Sequence, residues 1–412
     1  MKRILLITTL PPWPPHVGGR QRTNLLYRAL SERGRVDLVL VYIRGVLQEK
    51  ELAEARRSFN LLRLFEWDPK FHHPLGRLVG RVHAGLGAKI DEALSPRGWD
   101  YAVDQAASAW LAAHMTSTRY DLVVGRYLNP VAKADAFRYR PMLLDVDDVD
   151  YMHLQNDLET PGHSWRKRWM LRLKRDRVRR QFDARMGDCD HVFTASERDV
   201  ARIDHPSVSA LPNIPYVAVE EPMLPMCAPR CDSKVVLVVG LMTYRPNREG
   251  MARFLANVWP DVYRKCPEAK LKIVGAVRDK ERATWENVPG VEVCGFVDDL
   301  REAYAEAAFT VAPVYFGAGT KIKVLESLAY GRTCVVTTHA HYGYESTLQP
   351  GVSLMRADSD DEMSACCVEL LNNARKRDAL AAAGHAVVKE PYTFDRFRRV
   401  VLDAVDAVCA AG

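Results

Sequence analysis

The sequence predicts an α/β protein with two tandem doubly wound, Rossmann-like domains that face a cleft. Three observations carry this prediction: short, continuously apolar runs, helix-like segments between them, and a proline-dense stretch in the middle. A run that is apolar at every position is typical of a parallel strand buried on both faces. Repetition of strand, helix and strand implies right-handed crossovers and hence doubly wound sheets. The length of 412 residues suits two domains of this kind.

Strand-like and helix-like segments alternate through the first half of the chain. Strands are predicted over 4–8, 36–42, 121–125, 142–146 and 191–195, and helices over about 20–33, 76–95, 103–117 and 163–187. The first apolar run resembles a short signal peptide. However, four prolines follow within residues 11–15, where a cleavage site would need small residues, so we interpret the run as a buried strand.

The second half repeats this rhythm. Strands are predicted over 234–239, 271–274, 291–294, 309–312, 333–337 and 352–355, and helices over about 247–265, 298–307, 321–330, 359–375 and 394–410. Six prolines lie within residues 206–229, a density that helices and central strands do not tolerate. We therefore expect a first domain over 1–212, a linker over 213–233 and a second domain over 234–393. Such domains bind ligands outside the carboxyl ends of their strands, which makes the cleft the expected active site.

The composition is that of an ordinary globular protein, with 48% hydrophobic and 27% charged residues, and it excludes disordered, collagen-like and coiled-coil chains. The net charge is only +6, yet residues 166–185 hold ten basic and two acidic side chains. Apart from this segment the chain is slightly acidic, so the basic character needs a local explanation.

Cysteine usage and hydropathy bear on location. The nine cysteines are odd in number, and several lie in strand-like runs, so we expect reduced thiols. The spacing of Cys227 and Cys231 is that of half a zinc site, but no partner pair completes it, and we expect no metal. No apolar run reaches the ~18 residues of a membrane span, and we expect a cytoplasmic protein.

Two glycine-containing segments are candidate phosphate sites. Gly18 and Gly19 open the helix that follows the first strand, and backbone N–H groups there can approach an anion. The alternative is a tight turn that needs glycine dihedral angles. In the second segment, a strand ending at Pro313 leads through Gly317 and Gly319 into a helix.

The residues that follow Gly319 strengthen the second segment. Thr320 starts the predicted helix, Lys321 and Lys323 could neutralise a diphosphate, and Glu326 could accept hydrogen bonds from both hydroxyls of a ribose. The alternative is a solvated helix start with a Lys–Glu pair three residues apart.

At these residues the chain resembles the GT-B glycosyltransferases, and among them glycosyltransferase family 4 (group 1). Matching elements are Val239–Asn247, Leu271–Gly275, Val291–Leu300 and Gly317–Gly331. The resemblance implies a retaining, hexosyltransferase-like enzyme that moves a sugar from a UDP- or GDP-linked donor to a saccharide or lipid-linked acceptor, as in cell-surface polysaccharide or glycolipid synthesis.

The resemblance also implies roles for particular residues. Backbone around Phe296 and Val297 would face the base, Glu326 the ribose, and the Gly319–Lys323 loop the diphosphate. Arg245 and Asn247 lie in the loop after the first strand of the second domain, where family members bind diphosphate. The N-terminal domain would hold the acceptor, and the helix over about 394–412 would pack back onto it.

The sequence departs from the family pattern in three places. The first of two glutamates that many members carry is replaced by Ala318, and Arg245 is a displaced, single cation. Where members often have a histidine, this chain has Asp147, and we take Asp147 and its neighbour Asp148 as candidate catalytic residues. An aspartate there could be the base of an inverting displacement or a partner for sugar hydroxyls. Asp145 and Asp147 also match an Asp-x-Asp metal motif, which the tandem layout argues against.

The basic segment predicts an amphipathic helix. Trp165, Trp169 and Leu173 recur every four residues among arginines and lysines, a pattern that suits an anionic membrane surface. This would make the protein peripheral on the inner face of the membrane. The alternative is a surface helix that packs on the core and leaves a solvated basic face. No nucleic-acid-binding module is recognised.

Two other functions compete with glycosyl transfer. The missing glutamate favours a catalytically inactive GT-B subunit that binds nucleotide or acts as a scaffold. A sugar-nucleotide epimerase would need a carboxylate and histidine set for proton transfer, which the sequence does not display.

Overall fold

The computed structural model describes residues 1–15, 18–43, 47, 49–67, 75, 78–79, 81–83, 86, 90, 101–159, 162–215, 232–317 and 319–411. The predicted helix over 76–95, most of the predicted linker and the cysteines at 227 and 231 lie outside them. The chain divides into two compact units: unit 1 is Met1–Pro212 with Phe397–Gly412, and unit 2 is Asn213–Arg396.

Unit 1 contains a seven-stranded sheet in which all neighbouring strands are parallel. Its order is β3-β2-β1-β4-β5-β6-β7. The strands are β1 (Lys2–Thr8), β2 (Gly34–Ile43), β3 (Leu61–Trp67), β4 (Leu122–Arg126), β5 (Met142–Asp147), β6 (His191–Thr194) and β7 (Val208–Ala210). Every residue of β4 and β5 is buried, as strands covered on both faces should be.

Helices connect these strands. They are α1 (Gly18–Ser31), α2 (Glu49–Ser58), α3 (Gln105–Ser117), α4 (Leu128–Lys133), α5 (Tyr151–Glu159), α6 (Trp165–Met186) and α7 (Glu197–Val200), with a 3₁₀ turn at Ala136–Arg138. The long helix α6 begins where Ser164 accepts a hydrogen bond from the backbone N–H of Lys167.

Unit 2 contains a six-stranded parallel sheet of order β10-β9-β8-β11-β12-β13. The strands are β8 (Val235–Val239), β9 (Lys270–Val274), β10 (Val291–Gly295), β11 (Phe309–Ala312), β12 (Cys334–Thr337) and β13 (Met355–Ala357). Alternate residues of β8 enter different cores: Val236 and Val238 pack with Trp259, whereas Leu237 packs with Tyr304. Both faces of the sheet are therefore covered, which confirms the doubly wound architecture.

The helices of unit 2 are α8 (Arg245–Asn257), α9 (Trp259–Lys265), α10 (Asp279–Trp285), α11 (Arg301–Glu306), α12 (Ile322–Ala329), α13 (Thr338–His341), α14 (Asp360–Asn372) and α15 (Ala374–Val388). The last helix, α16 (Phe394–Ala411), enters unit 1 from Phe397 onward. There Arg33 forms an ion pair with Asp406 at 2.7 Å, and Arg398 one with Glu32 at 3.0 Å.

Two predicted elements are wrong in detail. The single helix over 247–265 is two helices, since Pro260 stands in the first turn of α9, where its missing N–H costs nothing. The strand expected over 352–355 begins only at Met355, because Gly351 adopts a positive φ of 81° and a turn carries the chain to Leu354. Strands β3 and β7 were not predicted.

Candidate functional site

The main cluster of candidate residues lies in unit 2, where β8 and β11 end. These strands pair directly, so the loops that follow them start side by side. The loop after β8 leads into α8, and that after β11 leads into α12. A Cβ added at Gly250 of α8 would lie 1.8 Å from the carbonyl oxygen of Pro313, so helix and strand end are in close contact.

Asn247, in the first turn of α8, and Lys323, in the first turn of α12, contact each other. The Lys323 ammonium donates a hydrogen bond of 2.8 Å to Asn247 Oδ1, and Asn247 Nδ2 donates one of 3.0 Å to the carbonyl of Leu241. Gly240, at φ 155°, leaves the space that they need, because a Cβ there would lie 2.7 Å from Lys323 Nζ. The sequence predicted that both residues lie near the diphosphate, but it did not predict that they contact each other.

Lys323 is held in an environment that disfavours its charge. Burial, with the charge of Lys321 adding to it, lowers the pKa of Lys323 to about 8. The two lysine charges repel each other, and one of them is partly desolvated. An anion bound beside them would therefore stabilise both charges. This arrangement suits a diphosphate better than it suits a solvated Lys–Glu pair.

The glycine loop adopts a conformation that few other residues allow. Gly317 has φ 107° and Gly319 has φ 74°, while Ala318 lies outside the described residues. Lys321 Nζ donates to the carbonyl of Gly319, and Thr320 Oγ1 accepts a 3.0 Å hydrogen bond from Asn213. The helix begins at Ile322, so Lys321 is its N-cap.

Glu326 points from α12 toward α11. Its Oε2 accepts a 3.0 Å hydrogen bond from the Tyr304 hydroxyl, and the Tyr304 ring stacks on Tyr330 with centroids 4.2 Å apart. Burial raises the pKa of Glu326 to about 7, although Tyr304 and Lys323 act in the opposite direction. Tyr304 was missed by the sequence analysis, because it reads there as an ordinary core residue of a helix.

Three other predicted donor residues stand apart from these hydrogen bonds. Arg245 forms an ion pair of 2.7 Å with Glu249, and its guanidinium lies 5.2 Å from the Phe316 ring. Phe296 is 50% exposed, whereas Val297 packs in the small core around Tyr304 and Tyr330. The segment expected at the base therefore adjoins the residues that hold Glu326.

One histidine near the loop was also missed. Burial, aided by Lys321, lowers the pKa of His339 to about 4, so the imidazole is neutral at neutral pH. His339 lies in α13, directly after β12, where the sequence showed only a short polar segment after a strand.

Unit 1 has a buried ionic network at the ends of β4 and β5. Asp145 accepts hydrogen bonds from Arg22 at 2.8 and 2.9 Å, and its Oδ2 lies 3.2 Å from Arg126 Nε. Arg126 donates to Asp147 Oδ2 at 2.7 Å, and Arg22 also donates to the carbonyl of Leu211. Burial lowers the pKa of Arg22, but Asp145 and Asp147 outweigh it, so the net pKa is raised and the group stays charged.

The network is accompanied by strained backbone. Asp147 has φ 60° and Tyr127 has φ 68°, both unusual for residues other than glycine. The Tyr127 hydroxyl accepts a 3.0 Å hydrogen bond from Arg126 and would lie 3.0 Å from a Cβ at Gly19. Gly19 is therefore needed for close approach, and its φ is not in the positive region that favours glycine.

The acidic residues at the end of β5 are therefore committed to ion pairs. Asp145 and Asp147, which match a metal motif in sequence, face two arginines here. Asp148 donates its backbone N–H to the carbonyl of Val146, and Asp150 accepts from Tyr101. Among the residues that the structure describes, no group of three or more His, Cys, Asp or Glu side chains could hold a metal ion.

Helix α6 has two apolar faces. Leu171, Val178, Phe182 and Met186 are buried in the core of unit 1. The face that carries Trp165, Trp169 and Leu173 is instead exposed, by 73%, 61% and 51% of these side chains. The helix therefore packs on the core, as one interpretation expected, and also displays an apolar patch among basic residues. In the described part of the chain, no helix is long and apolar enough to cross a membrane.

Comparison with known proteins supports the resemblance. Residues 233–373, which contain the candidate donor residues of unit 2, match the family model "Glycosyl transferases group 1". No curated protein sequence matches the chain.

Several solved structures share the fold. A Staphylococcus aureus TarM variant, in complex with fondaparinux, α-GlcNAc-glycerol and UDP, is 10% identical, with 98% of this chain and 100% of that one covered and a TM-score of 0.64. HepE from Anabaena in complex with UDP is 12% identical, with coverages of 99% and 100% and a TM-score of 0.62. WaaG, a glycosyltransferase of lipopolysaccharide biosynthesis, is 16% identical, with 99% of both chains covered and a TM-score of 0.61.

These comparisons define the fold of the chain and the sequence pattern of one segment. The fold is that of the GT-B glycosyltransferases, with two Rossmann-like domains, and residues 233–373 carry the sequence features of group 1 glycosyl transferases. The expected resemblance is confirmed.

Proposed function

We propose that the protein transfers a sugar from a nucleoside diphosphate sugar to a saccharide or lipid-linked acceptor. One observation carries the proposal: Lys321 and Lys323 lie beside Gly317 and Gly319 at the start of α12, with Glu326 one turn further on. The diphosphate, the sugar-bearing phosphate included, would be held by the lysines and the loop, and the ribose by Glu326. UDP in the TarM and HepE complexes supports a nucleotide with a pyrimidine base, and GDP remains the second candidate.

In this proposal the units divide the work. Unit 2 binds the donor and unit 1 supplies groups for the acceptor. Catalysis comes mainly from positioning and from stabilisation of the leaving diphosphate by fixed positive charge, a contribution that is large where the charges are already in place. We propose no metal, since the two lysines provide the charge that a cation would otherwise supply.

We further propose that the anomeric configuration of the sugar is retained. An inverting displacement needs a carboxylate that is free to accept a proton from the acceptor hydroxyl. Asp147 Oδ2 accepts a hydrogen bond from the buried Arg126 guanidinium at 2.7 Å, so this oxygen is already engaged by the protein. Its role here is to orient acceptor or donor hydroxyls. The product anomer, determined by nuclear magnetic resonance, tests this point, and an inverted product would contradict it.

The test of donor binding is a thermal-shift screen of UDP, GDP, ADP and their sugars. A ligand that binds only the folded state raises the melting temperature. At a hundredfold excess over Kd it adds about 2.7 kcal/mol to the free energy of unfolding. Lys321→Ala or Lys323→Ala should weaken binding by about 10- to 150-fold, the equivalent of one charge-assisted hydrogen bond. Arg375→Ala, an exposed cation in α15, is the matched control. Unchanged affinity in both lysine variants would place the diphosphate elsewhere.

Donor hydrolysis distinguishes an enzyme from an inactive subunit. Slow release of the sugar from the donor that the screen identifies, abolished in Lys323→Ala, supports a transferase. Tight binding without hydrolysis or transfer to any added saccharide would favour the nucleotide-binding scaffold.

We also propose that α6 binds an anionic membrane surface and brings the enzyme to a lipid-linked acceptor. The exposed tryptophans support this, because they lie on the same helix as a net charge of +8 within residues 166–185. Each basic residue near such a surface contributes about 1 kcal/mol, so four of them give a partition coefficient on the order of 10³. Binding of this strength is reversible and weakens as salt rises.

Co-sedimentation with phosphatidylglycerol vesicles tests the surface. A variant with glutamine at four exposed α6 positions should bind at least tenfold more weakly: Arg166, Lys167, Arg168 and Arg172. A matched control removes as many exposed charges elsewhere in unit 1: Arg28, Arg56, Arg57 and Arg119. An equal loss of vesicle binding in both variants, or vesicle binding that does not change with salt concentration, would refute a specific role for α6.

A further inference from the structure

Tyr304 presents its hydroxyl, the one polar atom of its side chain, to Glu326. The side chain is almost completely buried, and the hydroxyl donates to Glu326 Oε2 at 3.0 Å. Elsewhere in the described part of the chain, no donor bonds this carboxylate. Oε1 is therefore left for a ligand, while Oε2 is anchored by the protein.

The anchor is itself fixed from two directions. The Tyr304 ring stacks on Tyr330 with an angle of 13° between the planes. Arg332, which is buried, donates from Nε to the carbonyl of Tyr304 at 2.8 Å and from Nη2 to that of Ala305 at 3.3 Å. A buried arginine thus ties down the end of α11, so the tyrosine hydroxyl has little freedom to leave the carboxylate.

We propose that Tyr304 is a positioning residue for ribose recognition, which holds one oxygen of Glu326 so that the other faces the hydroxyls of the nucleotide ribose. The inference rests on the proposed function, since it assumes that Glu326 meets a ribose. It goes further in assigning discrimination between ribose and deoxyribose to a residue that does not touch the nucleotide. A carboxylate that rotates freely would lose part of this discrimination, because its hydrogen bonds would no longer be aligned in advance.

The ionisation of Glu326 supplies a readout. Burial raises its pKa to about 7, and the hydrogen bond from Tyr304 and the charge of Lys323 lower it. The other titratable neighbours are Tyr330, which lies against Tyr304, and Cys334 of β12, which adjoins both Tyr304 and Lys323. Removal of the tyrosine hydroxyl takes away a hydrogen bond that favours the ionised form, so the pKa of Glu326 must rise further.

The experiment compares nucleoside diphosphates with their 2′-deoxy forms. Isothermal titration of UDP, GDP and ADP against the corresponding deoxynucleotides, between pH 6 and pH 9, gives the ratio of the two dissociation constants. Ionisation of the phosphates affects both members of a pair alike and cancels in the ratio. In the wild type we expect a preference for ribose of about 10-fold or more, which rises with pH as Glu326 ionises.

Four variants separate positioning from packing. Tyr304→Phe should lower the preference severalfold and move its midpoint upward by about one pH unit. Tyr263→Phe, which removes a tyrosine hydroxyl beside Trp259 in the other core of unit 2, should leave both unchanged. Glu326→Gln should abolish the preference and its pH dependence, and adding Tyr304→Phe to it should have no further effect. If Tyr304→Phe does not fold, Tyr330→Leu replaces it, because loss of the stacked ring frees the Tyr304 side chain without altering Glu326.

The outcomes distinguish a failure of the positioning role of Tyr304 from a failure of the proposed function. If Tyr304→Phe keeps the wild-type ratio and midpoint while Glu326→Gln loses them, the positioning role is wrong and the proposed function stands. Binding of a nucleoside diphosphate with no ribose preference would overturn the role of Glu326 and of Tyr304 together, and leave diphosphate binding intact. Absence of binding to all three diphosphates would overturn the proposed function itself.

Discussion

Replacement of Lys323 by arginine separates positive charge from protonation at the proposed diphosphate site. The pKa of Lys323 is lowered to about 8, by burial first and by the charge of Lys321 second. A diphosphate bound next to its ammonium favours the charged form and reverses that shift. Binding near pH 8 must therefore take up protons from solution.

The size of the effect follows from the titration. A group with a pKa near 8 is about half neutral at pH 8, so binding should take up about half a proton there and close to none at pH 6. Affinity should be full below the pKa of Lys323 and fall by up to about tenfold per pH unit above it. In Lys323→Arg the guanidinium stays charged throughout, so proton uptake and the pH dependence should both vanish while affinity persists.

The assay is isothermal titration in buffers with different ionisation enthalpies. The ligand should be an intact nucleotide sugar, because its doubly esterified diphosphate does not itself titrate near neutral pH. The slope of observed enthalpy against buffer ionisation enthalpy gives the number of protons taken up. If the wild type and Lys323→Arg show the same slope at pH 8, the protons come from elsewhere and Lys323 does not meet the diphosphate.

Three predictions concern stability, each measured by urea unfolding. Lys323→Met should stabilise the protein at pH 7, because it removes a buried charge whose pKa burial has lowered to about 8. Between pH 8 and 10 the lysine is neutral in the folded wild type and still protonated in the unfolded chain, so the wild type becomes more stable as pH rises. The stability difference between the variant and the wild type should therefore shrink toward pH 10. Gly250→Ala should cost about 3 kcal/mol, because the added Cβ would lie 1.8 Å from the carbonyl oxygen of Pro313, whereas Gly187→Ala, with nothing within 4 Å, is the neutral control. Arg126→Met should cost about 3–5 kcal/mol, since it leaves two buried aspartates short of positive charge; a cost below 1 kcal/mol would show that the network is not a unit.

The two sheets were predictable because most of their strands are short and apolar throughout. Strand β3 (Leu61–Trp67) was not, since Arg63 and Glu66 interrupt its apolar run and it forms the edge of its sheet. Strand β7 has three residues, too few for a periodic signal. Pro260 begins a second helix in the structure. In the sequence alone, such a proline cannot be told from one that is tolerated within a single helix.

The candidate site was predictable where its residues are close in sequence. Lys321, Lys323 and Glu326 share a loop and one helix, so spacing alone suggested their grouping. The partners that fix them come from far along the chain: Asn247 is 76 residues from Lys323, and Tyr304 is 22 from Glu326. Sequence spacing gives no sign of such pairings.

The helix that ends unit 1 sets an order for the synthesis of the fold. Unit 2 is continuous in the chain, whereas unit 1 needs residues 397–411, which the ribosome makes after the whole of unit 2. Until then Val401 and Val405 of α16, which are fully buried in the finished protein, have not reached the N-terminal part. A nascent chain from which only residues up to 396 have emerged would therefore carry a finished second domain and a first domain that lacks this helix, the reverse of the usual vectorial order. Pulse proteolysis of stalled ribosome complexes would reveal this inversion directly.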